Sequence, residues 1–158
     1  MKKLNTQDMS IISALRCNAR ESLSMVGKNL NIPHSTIHDK VKAYELNIIK
    51  KHTSILDFSK MGYECRATIA LKLAKYQTKE LHDFIRSKKE VNNAYEINHG
   101  YDLLMECIFR SRTDLKMFMD ELEEKFPLQE KHIFEMYNDL KRESFLENQE
   151  AHAGKEAM

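Results

Sequence analysis

The sequence predicts an α+β fold with a helical front part and a back part in which strands and helices alternate. Apolar residues recur at helical spacing over residues 4–47. Farther along the chain, Cys65–Leu73 alternates its apolar side chains as a half-buried strand does. Only four Gly and two Pro occur among 158 residues, which argues against a turn-dense β-sandwich.

The first predicted helix begins at Asn5 or Thr6. Either side chain can cap a helix by accepting a hydrogen bond from a free backbone N–H. The positions that follow at helical spacing include one acid, Asp8. The apolar positions form the predicted buried stripe, which consists of Leu4, Ile11, Ile12 and Leu15.

A shorter second helix and a turn follow in the sequence. Ser22 is the predicted cap of this helix, whose inward residues are Leu23, Val26 and Leu30. Residues 31–33 (Asn-Ile-Pro) predict a turn, because Asn tolerates the left-handed conformation and Pro fits just inside a helix start.

The third predicted helix covers about residues 34–45. Ile37, Val41 and Tyr44 lie at i, i+4 and i+7 and are expected to face the core. Asn47 is the expected left-handed stop. The short second helix, the tight turn and the third helix together have the spacing of a helix-turn-helix.

The back part predicts the order β-α-β-β-α-β, which is that of a ferredoxin-like split βαβ domain. Its predicted elements are a strand at Cys65–Leu73, a helix at Thr78–Lys88, a strand at Ala94–Ile97, a turn at Asn98–Tyr101, a strand at Asp102–Phe109, a helix at Thr113–Phe126 and a strand at Ile133–Tyr137. Two helices cover one face of such a sheet. The other face carries Arg66, Thr68, Ala70 and Lys72 in the first strand, and this mixed surface is a candidate for self-association.

These patterns divide the chain into four segments. We expect a helix-turn-helix domain at residues 1–48, a linker strand at 49–60, a ferredoxin-like domain at 61–146, and a flexible tail at 147–158. The tail is polar with Ala and Gly, a composition that favours fraying.

Charge is distributed unevenly along the chain. Residues 1–60 hold ten Lys or Arg and five Asp or Glu, a net charge of +5, whereas residues 61–158 hold 15 and 19, a net charge of −4. A basic front part favours a polyanionic partner. No apolar run is long enough for a membrane span, and three scattered cysteines with no export signal indicate a reduced, cytoplasmic protein.

Catalytic and metal sites are not indicated by the sequence. It has no glycine-rich phosphate loop and no Ser-His-Asp or Cys-His set, so we do not expect an enzyme or a cofactor. His34 and His38 lie at i and i+4, a spacing that suits a metal. No third ligand accompanies them, so a metal site is not expected.

Four segments of the sequence follow one another in a characteristic order and spacing. They are Leu4-Asn5-x-x-Asp8-x-x-Ile11-Ile12-x-x-Leu15, then Asn18-Ala19-Arg20-Glu21-Ser22, then Leu30-Asn31-Ile32-Pro33-x-Ser35-Thr36-Ile37-His38-x-Lys40-Val41-Lys42, and finally Ile48-Ile49-Lys50 with Leu56-Asp57-x-x-x-Met61-Gly62-Tyr63. Together they resemble the Lrp/AsnC (leucine-responsive regulatory protein) transcription regulators of bacteria and archaea. The resemblance covers residues 4 to about 146. The sequence departs from the family at Asn31 and Asn47, where Gly is usual, and in a shorter loop between Gly100 and Asp102.

The outer face of the third helix is the candidate DNA-binding surface. A helical wheel turns Ser35, His38, Asp39 and Lys42 outward, and a helix of this size fits the major groove. Ser35, Thr36 and His38 suit bases or phosphates, whereas Lys40 and Lys42 suit phosphate oxygens. Asp39 would accept from a cytosine amino group or pair with a neighbouring cation. Backbone contacts are expected from Arg20, Ser22 and Lys28. The alternative for the third helix is an ordinary solvated face, and the alternative for Ser22 is that it only caps the second helix.

The turn between the second and third predicted strands is the candidate effector loop, and it consists of Asn98, His99, Gly100, Tyr101 and Asp102. The resemblance implies that a small molecule such as an amino acid binds near this loop, between subunits. Backbone groups of Gly100 would then hold the α-carboxylate or amine, and Asp102 would pair with the amine. The alternative is a structural hairpin turn in which Gly100 supplies a positive φ and Asp102 binds local backbone.

The sequence therefore predicts a sequence-specific DNA-binding transcription regulator that a small metabolite can modulate. Its partners are double-stranded DNA and further copies of itself, as a dimer or a higher oligomer such as an octamer. A dimer presents two recognition helices to half-sites about 34 Å apart. The alternative is a metabolite-sensing or assembly module without specific DNA binding.

Overall fold

A computed structural model describes residues 3–75 and 78–147 of the chain. Two compact units form: one comprises the residues up to Ser54 together with those from Leu140 onward, and the other comprises Ile55–Asp139. The elements in order are α1 (Thr6–Cys17), α2 (Leu23–Leu30), α3 (His34–Asn47), a 3-10 turn (Ser59–Met61), β1 (Cys65–Leu73), α4 (Thr78–Ser87), β2 (Val91–Glu96), β3 (Leu103–Phe109), α5 (Arg112–Lys125) and β4 (Leu128–Glu135).

The starts of α1 and α2 and the turn after α2 are as the sequence predicts. The Asn5 side chain accepts from the Asp8 N–H at 2.8 Å, while the Asp8 carboxylate accepts from the Asn5 N–H at 2.9 Å, so the two residues form a capping box. Ser22 caps α2 by accepting from the Met25 N–H at 3.2 Å. Asn31 is left-handed, with φ 54° and ψ 42°.

The predicted end of α3 is wrong. Asn47 remains helical, and Ile48 ends the helix with φ −124°. The backbone N–H groups of Ile48 and Ile49 both donate to the Tyr44 carbonyl, at 2.7 and 2.8 Å. These bonds satisfy the end of the helix without a left-handed residue.

A small apolar core joins the three helices. Ile11, Val26 and Ile37 are fully buried, and Val41 and Tyr44 are nearly so. Gly27 sits where α2 approaches the turn: a Cβ there would lie 2.8 Å from the Ile32 carbonyl oxygen. Glycine therefore allows the turn to pack closely against α2.

A C-terminal strap, defined as residues 140–147, returns to the helical unit and packs on α1. The Ser13 hydroxyl donates to the Leu146 carbonyl at 2.6 Å, and Arg16 Nε donates to the Phe145 carbonyl at 3.1 Å. The Arg16 guanidinium also lies 3.3 Å from the Glu143 carboxylate. Glu143 and Leu146 have positive φ values of 51° and 68°. The predicted tail at 147–158 lies outside the described residues beyond Glu147.

The predicted linker strand is not a strand in this chain. Residues 49–57 have no helix or strand, and the 3-10 turn at Ser59–Met61 is the only regular element described between α3 and β1. A strand requires a partner for its ladder of backbone hydrogen bonds. None of the four strands of the described sheet forms a ladder with these residues.

The second unit has the predicted ferredoxin-like βαββαβ fold. Its four strands are antiparallel in the order β2-β3-β1-β4. Ile69 in β1 faces Met105 in β3 and Ile133 in β4. One apolar cluster joins alternate β1 residues to α4 and α5, so both helices cover the same face.

The element bounds of this unit differ from the prediction mainly at the edge strands. β4 begins at Leu128, five residues before the predicted start, and ends at Glu135 rather than Tyr137. β2 begins at Val91 instead of Ala94. Both strands lie at sheet edges and carry polar side chains, so backbone pairing rather than alternation defines them. None of the helices in the described residues is long and apolar enough to cross a membrane.

Candidate nucleic-acid interface and effector loop

The outer face of α3 carries a row of polar side chains. Ser35, His38, Asp39 and Lys42 are exposed and Thr36 is half-buried. Their orientation follows from Ile37, Val41 and Tyr44 on the opposite face, which fill the core. His38 Nδ1 lies 3.8 Å from the Asp39 carboxylate, so the neighbour that approaches this acid is His38 rather than a Lys or Arg.

Three exposed cations of the helical unit are candidates for phosphate contact. Arg20, Lys28 and Lys42 are exposed, and none has a carboxylate partner among residues 3–75 and 78–147. Ser22, beside Arg20, uses its hydroxyl oxygen to cap α2, and the hydroxyl hydrogen can still be donated. The surface therefore offers unpaired positive charge next to hydroxyl and imidazole donors, which is the combination that phosphates and base edges bind.

Lys40 does not join this surface. Its ammonium pairs with the carboxylate of Asp8 on α1, and the two side chains are only 24% and 12% exposed. We therefore correct the expectation that Lys40 faces phosphate. The residue lies at the edge of the inward face of α3, where its ammonium binds the Asp8 carboxylate of α1 in place of solvent.

Asp8 is the centre of a polar cluster that the sequence analysis did not identify. The Tyr44 hydroxyl donates to the same Asp8 oxygen that Lys40 contacts, at 2.7 Å. The bond from Lys40 is the main cause that lowers the Asp8 pKa to about 2, and burial raises the pKa of Tyr44. One signal was available: Asp8 occupies a position within an otherwise apolar stripe.

The histidine pair on α3 is not joined by further metal ligands. The rings of His34 and His38 have their centroids 6.5 Å apart. Within the described residues no group of three or more His, Cys, Asp or Glu side chains could hold a metal ion. His38 is thus available to the outer face of α3.

The predicted effector loop is a strained hairpin turn. His99 and Gly100 both have positive φ, 63° and 98°, and Asn98, His99 and Gly100 are exposed. One oxygen of the Asp102 carboxylate accepts from the Leu73 N–H at 2.8 Å, and the Asp102 N–H donates to the Leu71 carbonyl at 2.9 Å. Gly100 thus has the expected positive φ, whereas the Asp102 carboxylate binds the backbone of β1 at Leu73, 29 positions away, rather than local backbone.

Tyr101 connects the loop to β4. Its hydroxyl donates to Glu130 at 2.8 Å, and His132 Nε2 lies 2.9 Å from the same carboxylate oxygen. The rings of Tyr101 and His132 meet edge to face, with centroids 5.6 Å apart. These contacts raise the pKa of Tyr101 and lower that of Glu130, and they hold the loop against β4.

Sequence relatives of the chain are transcription regulators rather than enzymes. An uncharacterized HTH-type transcriptional regulator of Pyrococcus furiosus is 30% identical over 118 residues, which cover 74% of this chain and 80% of the relative. The HTH-type transcriptional regulator LrpB of Bacillus subtilis is 23% identical over 121 residues, which cover 76% and 81%. No protein-family model matches the chain.

Solved structures with the same fold cover nearly the whole chain. LrpC of B. subtilis superposes with a TM-score of 0.80 at 17% identity, covering 88% of this chain and 98% of that one. The transcriptional regulator NMB0573 of Neisseria meningitidis, in a complex with L-Met, gives 0.80 at 16% identity, covering 89% and 94%. Both agree with a helix-turn-helix unit followed by a ferredoxin-like unit.

Proposed function

This chain belongs to the Lrp/AsnC family of helix-turn-helix transcription regulators and is a DNA-binding regulator, and from that premise we propose which of its surfaces bind DNA, a second copy and an effector. We place it in the cytoplasm, where such a regulator meets its operators. The observation that carries the DNA surface is the exposed, unpaired Lys42 beside His38 on the outer face of α3.

The proposed DNA contacts fall into two groups. Ser35, Thr36, His38 and Asp39 near the start of α3 reach base edges in the major groove, as the N-terminal residues of a recognition helix do. Arg20, Ser22, Lys28 and Lys42 hold phosphates and set the register. Lys40 is left out, because its ammonium is bound to Asp8.

A second copy of the chain covers the bare face of the sheet. The β1, β3 and β4 residues of this face oppose each other in the register, as Thr68 does with Glu106 and with Phe134. Tyr95 and Phe134 are each 56% exposed, an unusual exposure for aromatic side chains on a sheet. Dimerisation through this face presents two α3 helices to a pseudo-palindromic operator.

The dimer is tested by Phe134→Lys. A charge on this face opposes burial, so sedimentation should shift the protein toward monomer. Met117→Lys, which replaces an exposed apolar residue on α5, should leave the oligomeric state unchanged. A dimer that survives Phe134→Lys would move the interface elsewhere.

DNA recognition is tested on duplexes selected from a random pool by the wild-type protein. His38→Ala should weaken binding by roughly 1–3 kcal/mol and relax sequence preference, and Lys42→Ala should reduce the salt slope of log K by about 1. Lys116→Ala, an exposed cation of α5, is the matched control. Unchanged operator affinity in both α3 variants would refute the recognition surface.

The loop at residues 98–102 is the proposed effector site, with its ligand held between neighbouring subunits. The L-Met complex of the Neisseria relative supports an amino acid as the ligand class. Because Asp102 is engaged by backbone, the exposed amides of His99 and Gly100 supply the main polar contacts. L-Met should change the operator affinity of the wild type, and Tyr101→Ala should abolish the change; an equal response in Tyr101→Ala would contradict the site.

A further inference from the structure

A cleft of about 580 Å³ opens at the end of the sheet that lies opposite the effector loop. It lies where β2 begins and β3 ends, whereas the loop precedes the start of β3. Its walls are Tyr63, residues 88–90, residues 108–110 and one side of α5. The volume falls within the range of clefts that hold small organic ligands.

Two of the cations that line the cleft have no ion pair. Neither Lys89 nor Arg110 has a carboxylate partner in the part of the chain that the structure describes, and both are exposed. Lys88 differs, because its ammonium lies 2.5 Å from the Glu121 carboxylate. The cleft therefore offers two positive charges that a bound anion can use without first breaking an ion pair.

Arg110 is held in position by an aromatic ring. Its guanidinium carbon lies 5.4 Å from the centroid of the Tyr63 ring, within the distance of a cation–π contact. A guanidinium stacked by its face keeps its N–H edge available, and that edge matches the two oxygens of a carboxylate. The stacking thus restricts Arg110 before any ligand arrives.

Part of the cleft wall is apolar. Ile108, Phe109 and Phe118 form a buried wall, and Met117 is 65% exposed at the rim. A flexible thioether adapts to apolar groups of different shape. The cleft therefore combines two unpaired cations with an apolar surface that can adapt to the shape of a ligand.

We propose that this cleft binds a small carboxylate with a short apolar body. The carboxylate lies between Lys89 and the fork of Arg110, and the apolar body packs against Ile108 and Met117. Glu90 and Asp114 also line the cleft. An α-amino acid and a 2-oxo acid both supply the required carboxylate, but only the amino acid has an ammonium group that these two side chains can bind.

A regulatory consequence follows from the position of Tyr63, and this consequence alone rests on the proposed function. Tyr63 is separated from the structureless stretch at residues 49–57 only by the 3-10 turn and its flanking residues. A ligand bound beside Arg110 and Tyr63 restricts the motion of the first residues of the sheet unit. Binding itself needs no DNA and is measured without it.

The test is calorimetric titration of the wild-type chain with 4-methyl-2-oxopentanoate, L-leucine and inorganic phosphate in turn. At least one carboxylate should bind, and Arg110→Ala and Lys89→Ala should each weaken it about tenfold or more. Lys116→Ala, on α5 outside the cleft, should leave it unchanged. The ratio of the dissociation constants of L-leucine and 4-methyl-2-oxopentanoate reports whether Glu90 and Asp114 favour an amine.

Three results would overturn the proposal. They are the absence of carboxylate binding at up to about 10 mM, binding of phosphate alone, and carboxylate binding that both cleft variants retain after Tyr101→Ala has been added to remove binding at the effector loop. The thermal midpoints of the variants should match the wild type, because both side chains are exposed. If one variant unfolds, the other decides. A failure here leaves the operator measurements intact.

Discussion

The two units of the chain are built on different interactions. The helical unit contains the two buried polar residues found in the described part of the chain, Asp8 and Ser13. Each has a specific partner, Lys40 and Tyr44 for Asp8 and the C-terminal strap for Ser13. The sheet unit is centred on a larger cluster in which every buried member is apolar.

The two kinds of interaction govern different properties: apolar burial mainly stabilises a unit, and charged hydrogen bonds mainly orient one of its elements against another. Apolar burial is strong but tolerates small shifts, because it has no preferred direction. Charged hydrogen bonds are short and directional, so they fix one helix against another. The position of α3 therefore depends on a directional ionic tie in addition to its apolar core, whereas the buried side chains of the sheet unit are apolar throughout.

The largest effect is expected in the sheet. Leu71 is fully buried between the strand pairings to β3 and β4, so Leu71→Ala should reduce the free energy of unfolding by about 2–5 kcal/mol. Urea unfolding measures the change. Leu46→Ala, at a site 79% exposed, is the control. A loss below about 1 kcal/mol for Leu71→Ala would mean that the cluster does not carry the stability of this unit.

A smaller effect is expected from the polar tie of the helical unit. Asp8→Asn leaves the Lys40 ammonium without its ion partner and should destabilise the chain by about 2–3 kcal/mol. The double variant Asp8→Asn with Lys40→Met should recover part of that loss, because no unpaired charge remains. Strictly additive losses would show that the two side chains do not interact.

The acid dependence of the same tie gives the smallest effect. The folded-state pKa of Asp8, about 2, lies below its ordinary value of 3.8, so its stabilisation is present above pH 4 and is lost as the pH falls from about 4 to 2. The amount is at most about 2 kcal/mol. The stability difference between wild type and Asp8→Asn should shrink over this interval; a constant difference would contradict the assignment.

Most of the fold was predictable because it depends on local patterns. Ser22 and Asn31 are a cap and a left-handed turn for reasons that act within a few residues, and the alternation of Cys65–Leu73 identifies β1 directly. The errors occur where tertiary structure decides. β4 is an edge strand with polar side chains, and its start at Leu128 follows from pairing with Leu73, which no local pattern encodes.

The site residues show the same division. A helical wheel places His38 and Lys42 outward correctly, because Ile37, Val41 and Tyr44 determine the inward face. The assignment of Lys40 to phosphate fails, because its ion partner lies 32 positions earlier in the sequence. Gly27 was missed for a similar reason: its requirement arises from the Ile32 carbonyl, across a turn.

The C-terminal strap makes the sheet unit an insertion within the helical unit rather than a neighbour that simply follows it. A chimera that exchanges only the first 54 residues between relatives would separate Ser13 and Arg16 from the carbonyls that they bind. A transfer of the helical unit to another sensor domain therefore requires both the residues up to Ser54 and the C-terminal strap. A peptide tag fused close behind Glu147 adds bulk beside α1.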